Sequence, residues 1–173
     1  MKGLIAATLM TAATATETAI PIPDISTLTT VQYNEMLAGI VYGILDKNNE
    51  TAMETCLVDS EDTAIGAYAV FEDYLHGNWI KGTVDFAELM STVPTLKLAC
   101  SEQTLMPDII SLEQWALFFD RPETEVEADI KRNVIRHSLA LTNDLHTAEK
   151  YWNSAEFFKF GKELGIMAVI ATQ

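Results

Sequence analysis

Positive charge is scarce in this chain. Its 173 residues carry 11 Lys and Arg against 25 Asp and Glu, a formal net charge of −14. A surface of that sign is repelled by phosphate backbones and by anionic membrane surfaces, which argues against nucleic-acid binding. Long apolar runs are missing too. No charge-free stretch reaches bilayer-spanning length, so no transmembrane segment is expected. There is no Asn-Gly or Asp-Gly dipeptide between alternating runs, so hairpin signals are lacking. Neither an internal repeat nor a flexible linker divides the chain.

The motifs of common chemistries are equally absent. No G-x-S-x-G, H-E-x-x-H or EF-hand pattern occurs. No glycine-rich phosphate loop is present, because Gly161 and Gly165 fall inside a helical pattern. Of the three histidines, His137 sits on an apolar stripe and reads as a hydrogen-bonded core residue. His76 ends a helix, where its positive form suits the macrodipole. His146 lies beside Asp144 and Glu149, but no two histidines share the i, i+4 face of a zinc helix. The acidic runs at 59–62 and 123–129 fall at helix N-termini, where carboxylates complement the dipole. No catalytic centre, metal site or cofactor is called for.

What is present is a globular composition, 49% hydrophobic and 21% charged. The length suits one domain with a sizeable core. Residues 1–15, or to 19, resemble a leader: Met1-Lys2, an apolar run from Leu4 to Met10, then an A-x-A site at Ala13-Thr14-Ala15. The alternative is a retained N-terminal arm. With a leader, Cys56 and Cys100 read as one disulfide closing a long loop, a closure stabilising by roughly 3–4 kcal/mol. The alternative is two buried thiols. Asn49-Glu50-Thr51 is a glycosylation sequon in a polar loop. The expected setting is secreted, or lumenal within the secretory pathway.

Residues 16–30, rich in Thr, Ala and Pro, predict an extended arm, and 31–173 a single helical domain. Apolar spacing predicts helices over 30–45, 50–58, 61–75 and 79–90, with His76-Gly77-Asn78 as a stop. A further helical stretch is expected at 96–105, interrupted by Pro107. Ser111 to Gln114 then reads as a capping box before a short helix at 115–119.

The C-terminal third predicts two long helices. Asp120-Arg121-Pro122-Glu123 opens the first, whose stripe runs Val126, Ile130, Val134, His137, Leu141, Leu145, Ala148 and Trp152, about 45 Å long. Asn153-Ser154-Ala155-Glu156 opens the second. There Gly161 and Gly165 share one face and invite close approach of another helix. The fold class is therefore all-α, a bundle with a long C-terminal helical hairpin and an N-terminal arm.

Aromatic side chains exceed what a two-helix seam can hide. Trp79, Trp115, Phe118, Phe119, Trp152, Phe157 and Phe158 are candidates for an apolar cavity or a subunit interface. The adjacent pairs, Phe118-Phe119 and Phe157-Phe158, need cover on two sides.

Three stretches carry a family resemblance: Leu112-Glu113-Gln114-Trp115-Ala116-Leu117-Phe118-Phe119, Asn133 to His137 with Asp144, and Trp152 through Phe158-Lys159-Phe160-Gly161. Together they resemble a family of small secreted proteins abundant in ciliates. That family shares a leader, a few cysteines, an L-E-x-W-A-x-F segment and a C-terminal Y/F-F-x-x-G helix. The resemblance spans about the last hundred residues. It implies fold and secretion and no activity, and the Thr-rich arm lies outside it. The expectation is a non-enzymatic structural or interaction protein that self-assembles as coat, matrix or filament. Its partners would be further copies or other protein subunits. The alternative is a carrier holding an apolar ligand, such as a lipid, within the bundle.

Overall fold

The computed structural model describes residues 25–46, 61–90 and 106–173. The cysteines, the sequon, the arm up to residue 24 and the expected helices at 50–58 and 96–105 lie outside those residues. Among the described residues there are seven α-helices and no strand. They are α1 (Thr30–Leu45), α2 (Glu61–Leu75), α3 (Trp79–Met90), α4 (Met106–Ala116), α5 (Glu123–Arg136), α6 (Ser138–Asn153) and α7 (Phe157–Thr172). The all-α expectation holds.

The first and last helices make the closest contact of the fold, and glycine is the cause. A methyl group on Gly39 would fall 2.0 Å from the Phe158 carbonyl oxygen, and one on Gly161 would fall 1.9 Å from that of Met36. Met36 meets Gly161 and Gly43 meets Gly165, so α1 and α7 run parallel. Parallel neighbours cannot be joined by a tight turn, and the rest of the chain forms the connection. Each helix brings a glycine pair spaced four apart, so backbone packs on backbone.

Helix α1 opens on a reciprocal cap. The Gln32 amide donates to Thr29 Oγ1 at 3.4 Å, and the Thr29 amide donates to Gln32 Oε1 at 2.8 Å. It closes at Asp46 in the left-handed conformation (φ 51°). Just before it, Ile25–Thr27 forms a 3-10 turn, its Ile25 carbonyl accepting from Tyr33 Oη at 2.8 Å. The described end of the expected arm is thus folded onto the helix and not extended. Helices α2 and α3 are separated by Gly77 (φ 74°), as the stop signal predicts.

The core centres on Trp152. Its ring lies 4.8 Å from Phe160, 5.0 Å from Tyr68 and 5.5 Å from Phe157, tying α2, α6 and α7 together. Phe71 meets Phe160 edge-on at 4.8 Å. Asn133 is buried on α5 and donates to the Ala171 carbonyl at 3.2 Å, which satisfies an acceptor near the end of α7.

Several expectations at helix ends are corrected. The long helix from 120 to 152 is broken at His137 (φ −110°, ψ 19°) into α5 and α6. His137 is exposed and not a core residue, because it stands at the junction. Asp120 belongs to a 3-10 turn (Leu117–Asp120), and Pro122 stands at the N-cap of α5. Glu156, not Asn153, stands at the N-cap of α7, after Ala155 in the left-handed conformation (φ 55°). Pro107 does not interrupt a helix: it lies in the first turn of α4, where its missing N–H costs nothing. Ser111 is then mid-helix, and its hydroxyl donates back to the Pro107 carbonyl. The C-terminal hairpin is formed by α6 and α7, with Trp152 against Phe157 beside the turn.

Candidate functional site

An open cleft of about 670 Å³ runs between α3 and α5. Its apolar lining is Trp79, Ile80 and Val84 from α3, with Val134 and Ile135 from α5. Its charged lining is Lys81 on one wall and Glu123, Glu127 and Lys131 on the other.

The α3 wall is held by several side-chain contacts. Trp79 stacks on Tyr74 at 4.8 Å across the Gly77 turn. Tyr74 is buried with its hydroxyl 3.3 Å from Thr83 Oγ1, and Thr83 donates to the Trp79 carbonyl at 2.8 Å. Burial pushes the Tyr74 phenol well above its ordinary range. Lys81 is held between Asp73 at 2.6 Å and Asp85 at 2.7 Å, and those two carboxylates raise its pKa.

The α5 wall is amphipathic. Val126 and Ile130 are buried, so Glu123, Glu127, Lys131 and Ile135, spaced four apart, form a different face. Asp129 is bound by Arg121 at 2.9 Å and Arg132 at 2.5 Å, and the Arg121 contact foremost lowers its pKa. Among the described residues, Glu123, Glu127, Lys131 and Arg136 make no ion pair within the chain.

Two large aliphatic side chains stand exposed where α5 ends and α6 begins. Ile135 is 68% exposed and Leu139, across the His137 junction, is 76% exposed. The six residues from 135 to 140 are all exposed, although they include two large aliphatic side chains and Ala140.

Of the seven aromatic residues named as candidates for a cavity or interface, Trp79 lines this cleft and the other six do not. Trp152 and Phe157 are buried in the core. Phe158 is half-buried against Tyr42 of α1 at 5.9 Å, so α6 and α1 cover the Phe157-Phe158 pair from two sides. Trp115 meets Phe86 at 5.7 Å and Phe119 at 5.2 Å, and its indole N–H donates to Thr172 Oγ1 at 3.1 Å. Phe118 lies under the Arg121 guanidinium at 4.2 Å. The strongly exposed apolar side chains are instead aliphatic, chiefly Leu139, Ile135, Val31 and Leu117. Ile135 and Leu139 lie off the main sequence stripe, and their spacing of four was the signal that could have found them.

His76, His137 and His146 are all exposed. His76 Nδ1 lies 2.7 Å from the Glu72 carbonyl oxygen, and His146 lies 3.6 Å from Glu149. Among the described residues no group of three His, Cys, Asp or Glu is placed to hold a metal ion. No described helix is long and apolar enough to cross a membrane. No family model, no curated protein and no solved structure matches the chain.

Proposed function

We propose that this is a non-enzymatic interaction protein that self-associates, and that the α3–α5 face is where copies meet. The observation carrying this reading is the pair Ile135 and Leu139, 68% and 76% exposed on either side of a helix break. Covering two such side chains favours association by roughly 1.5–3 kcal/mol each. The cleft that Ile135 lines supplies a concave, largely apolar surface for a partner to enter. The secreted or lumenal setting rests on the leader-like residues 1–19 and on the reading of Cys56 and Cys100 as a pair.

Light scattering on the intact chain and on the double variant Ile135→Asp with Leu139→Asp tests this. Wild type should form a species heavier than the monomer and the variant should not. Equal masses for the two, with both folded by circular dichroism, contradict the reading.

The cleft itself favours a second reading, an apolar-ligand carrier. A volume near 670 Å³ floored by Trp79, Val84 and Val134 suits one small apolar molecule. Native mass spectrometry of the purified chain separates the two: a bound lipid on a monomer supports the carrier, and a bare dimer supports self-association.

A further inference from the structure

Charge around the α3–α5 cleft is uneven. On the α3 wall Lys81 lies 2.6 Å from Asp73 and 2.7 Å from Asp85, so one ammonium is outweighed by two carboxylates. On the α5 wall Glu123 and Glu127 stand against Lys131. Each wall therefore carries one more negative charge than positive. Among the described residues, Glu123 and Glu127 make no ion pair within the chain, so both carboxylates are open to a guest.

A solvated helix face can carry the same three charges with no guest at all. These three differ in lining a cleft of about 670 Å³ whose remaining surface is largely apolar. A neutral apolar guest uses that surface alone. An anionic guest meets four carboxylates, of Asp73, Asp85, Glu123 and Glu127, and one ammonium without an ion pair, that of Lys131. A guest with an apolar body and one positive charge uses both features, its cation facing the carboxylates. The ring of Trp79, also in the lining, adds an aromatic surface that attracts cations.

We propose that the cleft takes an apolar molecule bearing a single amine or quaternary ammonium group, and disfavours apolar anions. This rests on the carrier reading and adds the class of its ligand. A net charge of −14 draws cations toward the whole surface. Selection by the cleft differs from that general attraction in following Glu123 and Glu127, and not an exposed acid outside the lining such as Glu125.

Three probes with one alkyl chain and different head-group charge test this on the full chain: octyltrimethylammonium, 1-octanol and octyl sulfate. By titration calorimetry the ammonium should bind one-to-one, about 5-fold or more tighter than octanol, with the sulfate weakest. Glu127→Gln should weaken ammonium binding by about 2- to 5-fold and leave octanol unchanged. Lys131→Gln should strengthen it, and Glu125→Gln, the same charge change outside the lining, should do neither. Equal affinity for the ammonium and octanol overturns the charge selection, and so does an equal loss in the Glu125 and Glu127 variants. In either case octanol binding that Trp79→Ala abolishes leaves the carrier reading standing. Binding of none of the three probes removes both. Salt gives a measure independent of variants: the advantage of the ammonium over octanol should shrink between about 50 mM and about 500 mM salt. An advantage that salt does not change overturns the charge selection.

Discussion

Gly43 and Gly165 face each other so closely that a methyl group built on either falls 2.9 Å from the other's Cα. No side chain separates α1 from α7 at that level, and the neighbours met are backbone atoms that cannot turn aside. Gly161→Ala, whose methyl would fall 1.9 Å from the Met36 carbonyl oxygen, should therefore destabilise the fold by roughly 3 kcal/mol or more. Gly66→Ala is the control. Its methyl would meet only the end of the Leu89 side chain at 3.1 Å, so the change should stay within about 1 kcal/mol of neutral. Urea unfolding of the two variants checks the contrast, and equal midpoints would contradict the packing described.

Trp152 predicts a different contrast. Its ring touches four other aromatic side chains, but its buried indole N–H has no acceptor among the described residues. Trp152→Phe removes an unpaired donor and keeps most of the ring contact, so it should cost about 1 kcal/mol. Trp152→Ala should cost about 3–5 kcal/mol. Thermal unfolding of both variants measures the ratio. A Phe variant as unstable as the Ala variant would mean that the N–H holds a partner.

Two carboxylates fix the pH response. Burial raises the Asp144 pKa, and burial together with the charge of Asp144 raises that of Glu163. Each binds its proton more tightly folded than unfolded. Their cost is fully present above the folded pKa values and is relieved as pH falls through them. Asp129 acts in the opposite sense. Its lowered pKa contributes stability above the ordinary carboxylate value, lost as pH falls further. Melting temperature should rise as pH falls through the raised carboxylate values and fall again below about pH 4. Asp144→Asn should flatten the first limb and spare the second. An unchanged first limb would assign it to other groups.

The sequence carried much of this fold because its punctuation is local. Helices α1, α2 and α3 follow from apolar spacing and from stops at Asp46 and Gly77, each a left-handed residue. The break at His137 left no such mark. The His137 amide still donates to Asn133 and the Leu141 amide to His137, so the apolar stripe passes the junction in phase, with no Pro or Gly to announce it. Gly161 and Gly165 signalled close approach, but their partners Gly39 and Gly43 lie over a hundred residues away, and only packing connects them. The aromatic excess was legible, yet its destination was not, since α1 and α2 absorb much of it. The cleft exists only because α3 and α5 meet, and no local pattern encodes that meeting.

The central claim is that copies of this chain associate, and the molar mass of the intact protein across a concentration series tests it most directly. The account predicts a mass rising from 19.1 kDa toward twice that value. A mass that stays at 19.1 kDa at every concentration, with residues 135–140 intact, would contradict it.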